Sequence, residues 1–225
     1  MNDILNQKAL LIDFDSTFVK VETLDELAKL SLENDPDAED KIEMISRITN
    51  QAMSGEISFP AALEKRLGIL SLSKDDIKQI TADISSRVSD SFMKNKEFIR
   101  SNSDSIWILS GGFKEIICPV VSEFGIKESH VLANSFIYHE NHVTGCDKTN
   151  DLSKDKGKVK AIKNLDLDLE IIMIGDGFTD YEVYSEGVAK AFICYTENIS
   201  RKNIIERSIY KANSFNQVID ILNQL

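Results

Sequence analysis

The sequence predicts an α/β fold: a Rossmann-like, doubly wound parallel sheet with a small helical cap inserted after the first strand. Three observations predict it. A short apolar run, Ala9 to Ile12, ends abruptly in the acids Asp13 and Asp15, as a buried strand does at a sheet edge. The stretch that follows, as far as Arg87, carries helical spacing and no sustained alternation of period two. From Asp90 onward helix and strand patterns alternate, which implies parallel strands covered by helices on both faces. The chain has 225 residues, 42% hydrophobic and 28% charged, enough for one α/β domain with a modest insertion. The expected division is a catalytic core of residues 1–18 and 88–225 around a helical cap of residues 19–87.

Each element has its own signal. Thr23 caps a helix with Leu24, Leu27, Ala28 and Leu30 on one face. Asn34-Asp35-Pro36-Asp37 breaks the chain, and a helix over 38–53 follows, with Ile42, Ile45, Ile48 and Ala52 in register and Ser54-Gly55 at its end. Ser58 opens a third helix through Leu63 and Leu67, and Ser73 caps a fourth through Ile77, Ile80 and Ile84. Residues 92–99 read as a helix, 105–109 as a strand ending in Ser110-Gly111-Gly112, and 113–124 as a helix that Pro119 is placed to kink. A short strand over 131–133 precedes a hairpin turning near Glu140-Asn141. A basic helix over 155–165, strands over 171–174, 189–194 and 209–212, a helix over 179–186 and a final helix capped by Ser214 complete the pattern.

Charge and composition exclude several roles. The net charge of −11 argues against a nucleic-acid partner, because such binding rests on neutralising phosphates. Small anions stay admissible, since a local field can oppose the net charge. Cys118, Cys146 and Cys194 form no pair motif, which fits a reducing compartment. No stretch has the length of a membrane span and the N-terminus lacks a leader pattern. The expectation is therefore a cytoplasmic monomer or homodimer with no membrane or nucleic-acid partner. His139 and His142 flank the hairpin turn without a cysteine nearby and read as surface.

The chemistry is expected at the carboxyl ends of the strands, where such sheets bind ligands. Three strand ends qualify. The first carries Asp13 and Asp15, which point the same way two residues apart in extended chain. The second carries Ser110-Gly111-Gly112, a hydroxyl and free N–H groups at a helix start that suit a phosphate oxygen. The third, IIMIGDGFTD, carries Asp176 and Asp180. Four converging carboxylates are untenable without a cation, and a hard divalent ion with oxygen ligands is the simplest remedy. One lysine among Lys154, Lys156, Lys158, Lys160 and Lys163 is expected to add positive charge, although spacing does not single it out.

DFDST, ILSGG, Lys156-Gly157 and GDGFTD, in this order, resemble the four motifs of the haloacid dehalogenase superfamily. VETLDELA and AMSGEISFPAALEKRL resemble the cap of its phosphoserine phosphatase family, so the likeness covers nearly the whole chain. The resemblance implies a Mg2+-dependent phosphomonoesterase that hydrolyses phosphoserine through an aspartyl-phosphate. It makes Asp13 the nucleophile, Asp15 the general acid and base, and Lys156 the neutralising cation. Ser110, Gly111 and Thr179 are implied to bind phosphate and substrate. Asp13, Asp15 (by its main-chain carbonyl), Asp176 and Asp180 are implied to hold or support Mg2+. In the cap, Glu22 is implied to meet the substrate ammonium and Arg66 its carboxylate, with Met53 and Phe59 closing over the site.

The chain departs from the family pattern at Phe178, which stands where a small residue is usual, and in lacking a Pro-Gly turn before Phe92. Hydrolysis or transfer from another small phosphomonoester, or ligand binding without catalysis, are the alternatives that the sequence leaves open.

Overall fold

The computed structural model describes residues 5–225. Its centre is β1 (Lys8–Ile12), which pairs in parallel with β2 (Ile106–Phe113) on one side and with β6 (Glu170–Gly175) on the other. The six-stranded sheet runs β3-β2-β1-β6-β7-β8, all parallel, with β3 at Val131–Asn134, β6 at Glu170–Gly175, β7 at Ala191–Tyr195 and β8 at Tyr210–Ala212. A separate antiparallel hairpin joins β4 (Phe136–His139) to β5 (His142–Cys146). This is the expected Rossmann-like α/β architecture.

Strand alternation splits the core between the two faces of the sheet. Leu10 and Ile12 pack with Ile108, Ile174 and the ring of Phe14 on one side. Ala9 and Leu11 pack with Leu109, Met173, Val159 and Ile162 on the other. Both faces are dry, so the strands read as apolar runs instead of alternating ones.

Between β1 and β2 stand α1 (Thr23–Ser31), α2 (Ala38–Ser54), α3 (Phe59–Ile69) and α4 (Lys74–Ser85). A narrow neck joins this four-helix insertion to the sheet: Val19 bridges Val88, and the Lys20 N–H donates to Arg87 O at 2.9 Å. The hairpin grips the far side of the insertion. The Val143 N–H donates to Leu72 O at 2.8 Å and the Lys74 N–H to Asn141 O at 2.9 Å. His139 and His142 are both exposed on that hairpin. At the start of α4, Ser73 and Asp76 exchange the reciprocal bonds of a capping box.

Several boundaries differ from the sequence expectation. The helix over 92–99 is two helices, α5 (Asp90–Lys94) and α6 (Lys96–Ser101). Asn95 interrupts them, because its amide binds Ser91 O and Asn216 Oδ1, the local competition typical of asparagine. Ser110-Gly111-Gly112 continues β2 to Phe113 instead of ending the strand at Leu109. α7 (Lys114–Ser122) tolerates Pro119, and α8 (Gly157–Lys163) is shorter than expected at both ends. α9 (Phe178–Ser185) follows β6, and α10 (Lys202–Arg207) was not legible in the sequence. α11 (Phe215–Leu222) is capped by the Ser214 hydroxyl, which accepts from the Gln217 N–H.

Phe92 of α5 lies where the neck meets the sheet. Its ring is fully buried, 4.8 Å from Phe18, 4.7 Å from Phe215 and 5.5 Å from Tyr195 between centroids. Phe92→Ala is expected to lower unfolding stability by about 3–5 kcal/mol, measured by urea denaturation. A loss near zero would mean that this aromatic cluster does not tie the insertion to the sheet.

Candidate active site

The three strand ends identified in the sequence meet in space. β1 delivers Asp13, whose N–H donates to Ile174 O at 2.9 Å. A tight turn over Phe14–Phe18 then brings Asp15 back over the strand end, with Ser16 held at a φ of 54°. β6 delivers Asp176, and the first turn of α9 delivers Asp180. Oxygens of Asp13, Asp176 and Asp180 lie within 4.8 Å of one another, and all three side chains are buried.

A lysine sits among them, and it is Lys158. Its ammonium donates to Asp13 Oδ1 at 2.7 Å and to Asp180 Oδ1 at 2.5 Å. Burial alone would lower its pKa, but the two carboxylates outweigh that penalty and hold it above the usual lysine value. The expectation of Lys156 is corrected here. Lys156 precedes α8 in left-handed backbone, and its ammonium points outward to Glu186 at 2.6 Å, half exposed. Lys158 is the second residue of α8 and shares the buried face of that helix with Val159 and Ile162. The four-residue step from Lys158 to Ile162 was the available signal.

The other acids are held individually. Asp15 Oδ1 accepts the Thr23 N–H at 2.9 Å and also the Thr23 hydroxyl. Thr23 is therefore the first residue of α1, not its cap, and it orients Asp15. Surrounding protein and the charge of Asp13 push the Asp15 carboxyl up to about 7, against the lowering effect of those bonds. Burial and the charge of Asp13 push Asp180 up to about 8, and burial raises Asp176 as well. Glu22 precedes α1 and accepts the Ser16 hydroxyl at 2.7 Å. Burial and the charges of Asp15 and Asp176 raise it well above the ordinary glutamate value.

Arg201 has no counterpart among the sequence-predicted residues. Its Nε donates to Asp176 Oδ2 at 2.7 Å, and its Nη2 lies 3.4 Å from Glu22 Oε1. It sits in the loop before α10, a segment with no periodic signal. Asn198 of the same loop was missed too. Its amide reaches the carbonyls of Ser16, Thr17 and Val19, fixing the turn that carries Asp15.

At the second strand end, the buried Ser110 hydroxyl accepts the Gly112 N–H at 2.9 Å, which leaves its own proton free to donate. Asn134 holds the next carbonyl, that of Gly111, at 2.9 Å. A cavity of about 480 Å³ opens beside these groups, lined by Gly55, Phe59, Gly111, Lys158, Phe178 and Thr179 among others. Lys156 stands at its wall, while Glu22 and Arg66 do not line it. Met53 reaches the Gly177 backbone from above.

Arg66 lies deep in the four-helix insertion, with 3% of its surface exposed. Its guanidinium donates to Thr49 Oγ1 at 3.1 Å and to Ala62 O at 3.3 Å. Among the described residues no carboxylate oxygen lies within 4.0 Å of it. Burial lowers its pKa, and the charges of Glu22, Asp25 and Asp15 counter that effect from farther off.

Asp13, Asp15, Glu22, Asp176 and Asp180 thus face three cations, Lys158, Arg201 and Arg66. The residual negative charge and the all-oxygen donor set of Asp13, Asp176 and Asp180 fit a hard divalent cation such as Mg2+. The side chain of Asp15 is turned to Thr23, away from that set.

The haloacid dehalogenase-like hydrolase family model matches residues 10–184. The phosphoserine phosphatase of Bos taurus is 29% identical over 220 residues, covering 96% of this chain and 93% of its own length. The human phosphoserine phosphatase is 29% identical over 221 residues, covering 96% and 92%. The crystal structure of a phosphoserine phosphohydrolase-like protein from Francisella tularensis superposes with a TM-score of 0.85 at 33% identity, covering 95% of this chain and 99% of its own.

The two lysines separate in a stability measurement. In metal-free protein, Lys158→Met strands two buried carboxylates and is expected to cost about 3–5 kcal/mol in urea unfolding. Lys156→Met, which loses only an exposed ion pair, is expected to leave the midpoint unchanged. Equal effects from both would remove Lys158 from the centre of the cluster.

Proposed function

The chain belongs to the haloacid dehalogenase-like hydrolases, and from that premise we propose that it is a phosphatase hydrolysing L-phosphoserine to serine and phosphate. The carrying observation is Arg66, a buried guanidinium that, among the described residues, has no carboxylate oxygen within 4.0 Å. Its planar fork suits a substrate carboxylate, and the nearby acid Glu22 suits the substrate ammonium. The phosphoserine phosphatases that resemble this chain support the same substrate.

In this reading Asp13 attacks phosphorus and forms an aspartyl-phosphate as the bond to the serine oxygen breaks. Asp15, poised near neutral pH, gives its proton to the leaving alkoxide. It then takes a proton from water, which attacks phosphorus, releases phosphate and frees the Asp13 carboxylate. Lys158 takes the role first expected of Lys156, holding Asp13 in place and offsetting the charge of the incoming phosphate. The Ser110 hydroxyl and the Gly111 backbone receive phosphate oxygens, with Thr179 at the cavity wall. Asp13, Asp176 and Asp180, with the Asp15 carbonyl, would hold Mg2+, which when bound supplies positive charge against the phosphate. Residues 19–87 act as the cap over this site. The three free cysteines favour a reducing compartment, the cytoplasm. Among the described residues no helix is long and apolar enough to cross a membrane.

The test is phosphate release from a panel of small phosphomonoesters, in which phosphoserine is expected to give the highest kcat/KM. Arg66→Ala leaves the substrate carboxylate unpaired, a penalty of roughly 2–5 kcal/mol. It is therefore expected to cut kcat/KM for phosphoserine by about two to three orders of magnitude. Turnover of 4-nitrophenyl phosphate, which has no carboxylate, is expected to fall far less. Equal loss on both substrates would reduce Arg66 to a structural residue, and no loss on either would leave phosphoserine without its reader.

The metal assignment has a readout without turnover. At a hundredfold excess over its dissociation constant, Mg2+ is expected to stabilise the protein by about 2.7 kcal/mol. That corresponds to a rise in Tm of roughly 5–10 °C for a chain of this size, and Asp176→Asn is expected to abolish it. An unchanged Tm on titration with Mg2+ would remove the metal from this site.

A further inference from the structure

Three close approaches stitch the four-helix insertion to the sheet edge, and each sets a bulky side chain on a glycine of the other part. Phe59, at the start of α3, presses the tip of its ring onto Gly111 of β2. The sulfur of Met53 lies 3.0 Å from where a Cβ on Gly177 would stand. Both of these reach down from the insertion. The third reaches up: Phe178, the first residue of α9, lays its ring over Gly55 at the end of α2. A Cβ on Gly55 would fall 2.9 Å from Phe178 Cγ and 3.2 Å from both Cδ atoms, so the near end of the ring lies symmetrically over the glycine. Gly55 has a φ of 81°, a left-handed turn that ends α2 and brings its bare Cα to the seam.

We propose that Phe178 is a specificity-determining residue: its ring on Gly55 closes the seam above the cavity and limits the leaving group to small ones. This deepens the phosphatase reading and rests on it. Three observations support the assignment. Gly55, Phe59, Gly111 and Phe178 all line the same 480 Å³ cavity as Lys158 and Thr179, so the seam walls the cavity that leads to the lysine of the cluster. The ring follows the Gly175-Asp176-Gly177 turn directly, two residues from Asp176. Its contact with Gly55 is apolar and non-directional, and parting it strands no donor or acceptor, as a closing surface requires. Two hydrogen bonds also cross between the parts, from Asn203 Nδ2 to Ser54 O at 3.1 Å and from Arg201 Nη1 to Asn50 Oδ1 at 3.2 Å. A closed seam excludes water from the reacting groups, and only a leaving group that fits beneath the ring lets it close.

The experiment compares wild type with Phe178→Ala and Phe178→Leu in two measurements. The first is the ratio of kcat/KM for 4-nitrophenyl phosphate to that for phosphoserine, or for the smallest phosphomonoester cleaved if phosphoserine is not a substrate. This ratio is expected to rise at least tenfold in Phe178→Ala and less in Phe178→Leu, which retains apolar bulk. The second is amide hydrogen exchange of the free protein. Exchange across residues 51–57 is expected to accelerate about tenfold in Phe178→Ala, while β1 stays as protected as in wild type. An unchanged ratio, or unchanged exchange at 51–57, overturns the role of Phe178. Accelerated exchange with a raised aryl ratio in a protein that does not cleave phosphoserine keeps the role and discards the substrate.

Discussion

The ion pairs of Lys158 with Asp13 and Asp180 are the constraint on which the rest of the site depends. They join β1, α8 and the first turn of α9, three segments remote in sequence, at one point on the sheet edge. Bringing two carboxylates out of water is costly, and one ammonium between them recovers much of that cost only when its geometry is good. The geometry is good because a parallel sheet with β1 at its centre leaves the ends of β1 and β6 side by side, in register from Ala9–Ile171 to Ile12–Ile174. The dry packing on both faces of the sheet therefore sets the positions of the charges.

That arrangement leaves the site with more negative than positive charge, and the raised carboxyl groups record the imbalance. Asp15 and Asp180 sit near neutrality, and Glu22 is raised well above its ordinary value, because burial removes solvent while neighbouring anions remain. A site in this condition is prepared for a divalent cation and for the proton traffic of phosphate-ester cleavage. Arg201 relieves the same imbalance from another side, spanning Asp176 of the sheet edge and Glu22 at the base of the insertion. Protein cations already act on the set of carboxylates that would hold a metal.

Much of this was legible in the sequence, for a physical reason. The strand ends carry their chemistry in contiguous runs, DFDST, ILSGG and GDGFTD, because a backbone turn and the side chains it presents are built by neighbouring residues. The sheet was legible because fully buried parallel strands are apolar throughout. What failed were choices that depend on rotation or on distant contact. Lys156 and Lys158 differ by two residues at a helix start, which turns one to solvent and the other into the cluster. Thr23 reads as a cap, yet its hydroxyl serves Asp15, because the turn over Phe14–Phe18 folds that acid back onto α1. Arg201 and Asn198 lie in a loop without periodicity, and only the closed fold brings them to the turn and the acids.

The seam between the insertion and the sheet shows how local backbone geometry becomes a functional boundary. α2 must end where the chain turns back toward α3, and a left-handed Gly55 is the least strained way to end it. A glycine there has no side chain to fill the gap to the sheet, so the filling group has to come from the opposite part. At that position the chain carries Phe178, at the departure from the usual small residue noted in its sequence. The glycine of one part and the aromatic of the other are thus one feature. The bulk is placed on the side that carries the buried Asp176 and Asp180, so the group that fills the seam belongs to the same turn and helix start as the acids.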